Sequence, residues 1–203
     1  MSDICFVRPS NDAAATTLAN MANQLVSNIP SGHALHDLTG TSATRTAVET
    51  ELSACRLIVF WGHGMKSRLQ GASTDLVDLS NVSQAQGHLI IAIACWSADT
   101  LGSTATTSSG VDAYLGFNEQ FGCLAGDPDG EFGAAVVKGI EEIIVKGNDM
   151  SATLATMQRR FDDVFAYYKT GKGSGTSDSV LGWLLADWDK THARLTGNVS
   201  STL

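Results

Sequence analysis

Two residues, His63 and Cys95, have the types and the setting for covalent catalysis. The apolar run Arg56-Leu57-Ile58-Val59-Phe60-Trp61 stops abruptly at Gly62-His63-Gly64, and a second run, His88-Leu89-Ile90-Ile91-Ala92-Ile93-Ala94, stops at Cys95. An imidazole within reach of a thiol can take its proton or stabilise the thiolate, and a thiolate is a strong nucleophile toward a carbonyl. Glycine leaves the main chain unobstructed, so the backbone N–H groups of Gly64 and Cys95 could stabilise the oxyanion that develops on such an attack. The chemistry these residues suit is acyl transfer, with Cys95 as nucleophile and His63 as base.

That chemistry requires the two runs to be adjacent strands. Neighbouring strands lie about 4.8 Å apart, so side chains leaving the same sheet edge can meet. Both runs are continuously apolar, as central parallel strands buried on two faces must be. The rest of the chain supplies a matching alternation. Ile4 to Val7 reads as a strand, Asn11 to Ser27 as an alanine-rich helix, His33 to Leu38 as a strand, and Thr41 to Ser53 as a helix with Ser42 or Thr44 as its cap. Val111 to Phe117 is a further apolar run, and Phe132 to Val145 and Ser151 to Tyr168 are helical patterns. In the latter, Leu154, Met157, Phe161, Val164, Phe165 and Tyr168 form a stripe at three- and four-residue steps, which reads as a core-facing surface. Gly171 to Thr176 is a connector, Val180 to Trp188 a last helix or strand, and a polar tail begins at about residue 197. Strands alternating with helices imply an α/β three-layer sandwich with a mainly parallel central sheet and helices on both faces. Working residues in such sheets lie beyond the carboxyl ends of the central strands, where His63 and Cys95 both fall.

The two blocks Phe60-Trp61-Gly62-His63-Gly64 and Ile93-Ala94-Cys95-Trp96-Ser97-Ala98 resemble the His-Gly and Ala-Cys blocks of caspase-like cysteine peptidases, clan CD. The resemblance runs over roughly residues 56 to 122 and is closest to bacterial CHAT-domain and gingipain-like members. It takes in Leu76 to Asn81 and Ala113-Tyr114-Leu115-Gly116-Phe117, the latter similar to the next core strand of those enzymes. It implies a caspase-hemoglobinase-like fold, a His63/Cys95 catalytic dyad, an oxyanion hole at Gly64 and Cys95, and an endopeptidase acting on protein or peptide substrates. The chain departs from two family patterns: Ile93-Ala94 replaces the aspartate that metacaspases carry before the nucleophile, and the Gln-Ala-Cys of caspases is absent. Asp99, Asp112 and Glu119 lie close in sequence to Cys95 or to the next strand's end, so they are the carboxylates that would favour a basic P1 residue. Activation is expected from an activator protein, a ligand, or self-cleavage in the exposed stretches Ser103 to Gly110 or around Lys172. The alternative reading is a catalytically silent caspase-like interaction or regulatory module. A flavodoxin-like ligand-binding domain is a more distant one.

Composition excludes other classes. The chain has 203 residues, 43% hydrophobic and 17% charged, which suits one globular domain over residues 1–203. Its 21 acidic against 13 basic side chains give a net charge of −8 with no basic run, against binding of nucleic acid or an anionic membrane. No apolar stretch approaches the roughly 20 residues of a membrane span, and no basic-then-apolar leader is present, so a cytoplasmic location is expected. The four cysteines form no C-x-x-C pair; Cys5, Cys55 and Cys123 read as structural thiols. His33, His36 and His88 are assigned no metal, and a thiol mechanism requires no cofactor. On this reading Cys95 should alkylate faster than the other three, and His63→Ala should slow it.

Overall fold

The protein is described by a computed structural model covering residues 2–173 and 176–203. The connector expected at Gly171 to Thr176 thus falls partly outside the described residues. Six strands form the central sheet: β1 (Ser2–Arg8), β2 (His33–Thr39), β3 (Leu57–Trp61), β7 (Leu89–Ile93), β8 (Ala113–Phe117) and β9 (Ala193–Gly197), in spatial order β2-β1-β3-β7-β8-β9. All are parallel except β9, which runs antiparallel to β8. A second, antiparallel sheet joins β4 (His63–Met65), β5 (Arg68–Gln70) and β6 (Asp75–Asp78).

Every residue of β3, β7 and β8 is buried, because alternate side chains enter separate cores on the two sheet faces. Leu57, Val59 and Trp61 join Leu89, Ile91 and Ile93 in one core, covered by α1 (Ala13–Val26), α4 (Glu131–Ile144) and α5 (Met150–Lys169). Ile58, Phe60, Ile90 and Ala92 enter the other, covered by α2 (Arg45–Ala54) and α3 (Thr100–Thr107). The expected stripe of α5 faces the first core, with Met157, Phe161, Val164 and Tyr168 buried and Leu154 and Phe165 packed partly buried against it. Full burial of one such side chain contributes about 1.5–3 kcal/mol. The last helix, α6 (Thr176–His192), packs on α5. Helix starts follow the capping rule: Asp12, Thr44 and Asp149 accept the N–H groups of Ala15, Ala47 and Ala152.

Three expectations change. Ser103 to Thr107 belong to α3, so most of that proposed cleavage loop is helical; burial of Leu101 and Ala105 outweighs the weak helix propensity of its Ser and Thr residues. A strand, β9, leads up to the tail and ends at Gly197, and Ser201 within the tail is buried, its carbonyl accepting the Met150 N–H. The sheet β4-β5-β6 was not anticipated.

This small sheet carries His63 and packs on α2 through Leu69, Leu76 and Val77, and Arg45 adds a polar fastening. The Arg45 guanidinium makes two bonds to the Asp78 carboxylate (2.6 and 3.2 Å), one to the Asp75 carbonyl (3.1 Å) and one to Glu49 (2.8 Å). Arg45 holds the Asp78 carboxyl well below the ordinary carboxylate range. Because the folded value is depressed, the stabilisation is complete above the ordinary range and is lost as pH falls through the folded value. Arg45→Met should therefore cost about 1–3 kcal/mol at neutral pH. Urea unfolding of both proteins across the acid range should show this difference shrinking once Asp78 is protonated; a constant difference would mean the pair is not its source.

Candidate active site

The β3–β7 ladder sets the site. Trp61 pairs with Ile93, and the Gly62 N–H continues the ladder to the Ile93 carbonyl at 3.3 Å, so residues 62–64 run beside 94–95. Contact is close enough that a Cβ at Gly64 would overlap the Cys95 carbonyl oxygen and lie 2.9 Å from the Ala94 Cβ. The turn after β7 is held on the other side by Ser97. Its buried hydroxyl donates to the Ala94 carbonyl (2.8 Å) and accepts the Phe117 N–H (3.2 Å), tying the turn to β8. Within it Trp96 has φ 51°, a left-handed conformation costly for a bulky residue. Its backbone N–H donates to the Glu119 carbonyl at 2.8 Å.

His63 and Cys95 both open onto a cavity of about 440 Å³. Ala13, Leu18, Phe121 and Leu124 give it largely apolar walls, contributed by the start of α1 and the segment 121–126. On the far side of His63 lies a more open depression of about 700 Å³ with polar walls, among them Asn11, Gln70 and Asp75. The imidazole forms the ridge between the two.

The Nε2 of His63 is 2.7 Å from an Asp12 carboxylate oxygen. Asp12 also caps α1, and the Ala15 N–H first, then His63, lower its pKa below the ordinary value. With Nε2 so engaged, Nδ1 is the ring nitrogen that this contact leaves for proton exchange. The Cys95 thiol points elsewhere, toward the Phe121 carbonyl at 3.7 Å. Burial pushes its pKa above the ordinary thiol value, and the nearby Asp189 carboxyl adds to this. Cys123, on the same cavity, is pushed up to about 12, chiefly by burial. Asp189 itself is fully buried, with one oxygen accepting the Gly122 N–H at 2.9 Å, and burial drives its carboxyl strongly toward the neutral form.

The structure thus brings His63, Gly64 and Cys95 together, but not the three carboxylates read from the sequence as substrate contacts. Asp99 pairs with Lys66 at 3.1 Å. Glu119 accepts the indole N–H of Trp96 at 3.1 Å. Asp112 stands at the amino end of β8, the opposite edge of the sheet, paired with Arg56 at 2.8 Å. None of the three lines the cavity. The residue that sequence reasoning missed is Asp12; a capping aspartate just past the carboxyl end of β1 was its one visible sign.

No family model matches the sequence, and no curated protein matches it. Solved structures do. The chain is similar to the arginine-specific cysteine proteinase gingipain R, with a TM-score of 0.61 and 12% identity, over 99% of this chain and 47% of that one. It is similar also to the complex of the pro- and mature domains of the Porphyromonas gingivalis enzyme, with a TM-score of 0.54 and 13% identity, over 100% of this chain and 48% of that one. The chain therefore spans about half the length of the solved chains it matches. At these identities the likeness shows the fold, which is the caspase-hemoglobinase fold of clan CD cysteine peptidases; nothing singles out the CHAT group within it. Among the described residues, no helix is long and apolar enough to cross a membrane.

Proposed function

We propose that this chain is one caspase-like peptidase domain, a cysteine endopeptidase in which Cys95 attacks a peptide carbonyl and His63 carries the proton. The observation behind this reading is that an imidazole oriented by a carboxylate and a cysteine thiol open onto one cavity at the carboxyl ends of adjacent parallel strands. The substrate chain lies across the His63 ridge. Its carbonyl displaces the Cys95 thiol from Phe121, Nδ1 of His63 takes the proton as sulfur bonds to carbon, and the Gly64 and Cys95 N–H groups stabilise the oxyanion. The protonated imidazole then gives its proton to the leaving amine, and water resolves the acyl-enzyme.

The P1 side chain enters the apolar cavity. A basic P1 residue would lay its methylene stem along those walls and bring its cation toward Asp12, which adjoins the cavity through its bond to His63 and its chain neighbour Ala13. Digestion of a proteome-derived peptide library, with cleavage sites read by mass spectrometry, tests both points. Cleavage should be clustered after Lys or Arg and absent in Cys95→Ala. Asp12→Asn then separates two roles: as the orienter of His63 alone it slows all substrates equally, whereas as a P1 contact it slows basic substrates more. Silence of wild type and Cys95→Ala alike, with Cys95 no more reactive than Cys123, would leave the interaction-module reading, which the protonated thiol resting on Phe121 favours.

A further inference from the structure

The flank of the sheet away from the catalytic edge gathers four metal-binding side chains on three elements. His36 lies on the edge strand β2 and is the registered partner of Cys5 on β1, so both side chains leave the sheet on the same face. Helix α2 covers that face and places Glu51 and, one turn later at its C-cap, Cys55 over them. The His36 Nδ1 is 2.8 Å from a Glu51 carboxylate oxygen, and the Cys55 sulfur is 3.2 Å from the same oxygen. The donor atoms of His36, Glu51 and Cys55 all lie within 4.8 Å of one another. Cys5 lies outside that group of donors but shares the apolar core with Cys55.

We propose that His36, Glu51 and Cys55 form a binding site for a single zinc ion, with Cys5, from the same core, closing in as the fourth ligand. One imidazole, one carboxylate and two thiolates are the donor types that a tetrahedral zinc centre takes, and two sulfurs disfavour magnesium or calcium. On binding, each thiol releases its proton to solvent and its sulfur bonds the metal, while His36 binds through neutral Nδ1. The chemistry of the neighbourhood supports this. Both thiols are fully buried, so the core closes the site on the side away from solvent. His36 is about a third exposed, which leaves an entry path from solvent. A bound ion would clamp the edge strand β2 to α2, a structural role separate from peptide cleavage.

Cobalt(II) titration of the reduced full chain tests the site without any activity assay. One equivalent should give a thiolate-to-cobalt charge-transfer band with the visible bands of a tetrahedral centre, and zinc should bleach both. Zinc should also raise the thermal midpoint of unfolding. Cys55→Ser and His36→Asn should each weaken binding by at least about tenfold, whereas Cys95→Ser should bind as the wild type does. If Cys55→Ser fails to fold, His36→Asn, at a partly exposed position, decides the matter. Absence of the band in folded wild type overturns the proposal, as does a band lost in Cys95→Ser but kept in Cys55→Ser or His36→Asn.

Discussion

Gly64→Ala should lower kcat/KM for a cleaved peptide by at least about 10²–10³-fold, the scale of losing one oxyanion donor. The added methyl group would overlap the Cys95 carbonyl oxygen and crowd Ala94, so either β4 or the nucleophile turn must move. On the proposed reading, neither can move without shifting the N–H groups assigned to the oxyanion. Gly62→Ala is the matched control. A Cβ there meets the Phe60 ring and the Pro9 side chain at 3.1 Å, groups outside the reacting turn. Kinetics of both variants beside their thermal unfolding would separate a site effect from a folding effect. Equal, small losses in the two would remove Gly64 from the mechanism.

The second large effect concerns the division of labour between His63 and Cys95. In the resting structure the thiol sits on the Phe121 carbonyl rather than on the imidazole, and burial holds its pKa up. On the proposed reading His63 is then a base called on during the attack, not the partner of a standing thiolate. His63→Ala should accordingly reduce peptide cleavage about 10²–10⁴-fold. It should leave the alkylation of Cys95 by iodoacetamide nearly unchanged, which revises the expectation from sequence that the same substitution slows labelling. Labelling should keep rising as pH passes the ordinary thiol value of 9.0, because the folded pKa lies above it. Cys95 should still react ahead of Cys123, whose pKa is pushed up to about 12, and both ahead of the fully buried Cys5 and Cys55. A labelling rate that falls with His63→Ala in step with cleavage would restore the ion-pair picture.

Legibility of the fold followed the length and evenness of the hydrophobic signal. Strands β3, β7 and β8 were readable because all their residues enter a core, and α5 because its stripe persists over five turns. Strands β4, β5 and β6 have three or four residues each, too few to show a period, and Arg68, Asp75 and Asp78 give them a polar look. β9 escaped because only Ala193 of its five residues is fully buried. In the site, His63 and Cys95 were marked by the ends of long apolar strands. Asp12 was not, since its bond to His63 spans 51 residues and its capping role already accounts for its presence. The assignment of Asp99, Asp112 and Glu119 failed because nearness to Cys95 in sequence says nothing of which partner a loop carboxylate finds; Lys66, Arg56 and the Trp96 indole claimed them.

The ladder between β3 and β7 has a further consequence, for how the site is lost. Five registered pairs, from Leu57 with Leu89 to Trp61 with Ile93, are buried on both faces, and sliding by one residue would exchange the contents of the two cores. The separation of His63 from Cys95 therefore has no soft mode along the strands. Thermal melting followed at this pair of strands should therefore coincide with melting of the whole molecule; an earlier transition confined to residues 57–64 and 89–95 would show that the two uncouple.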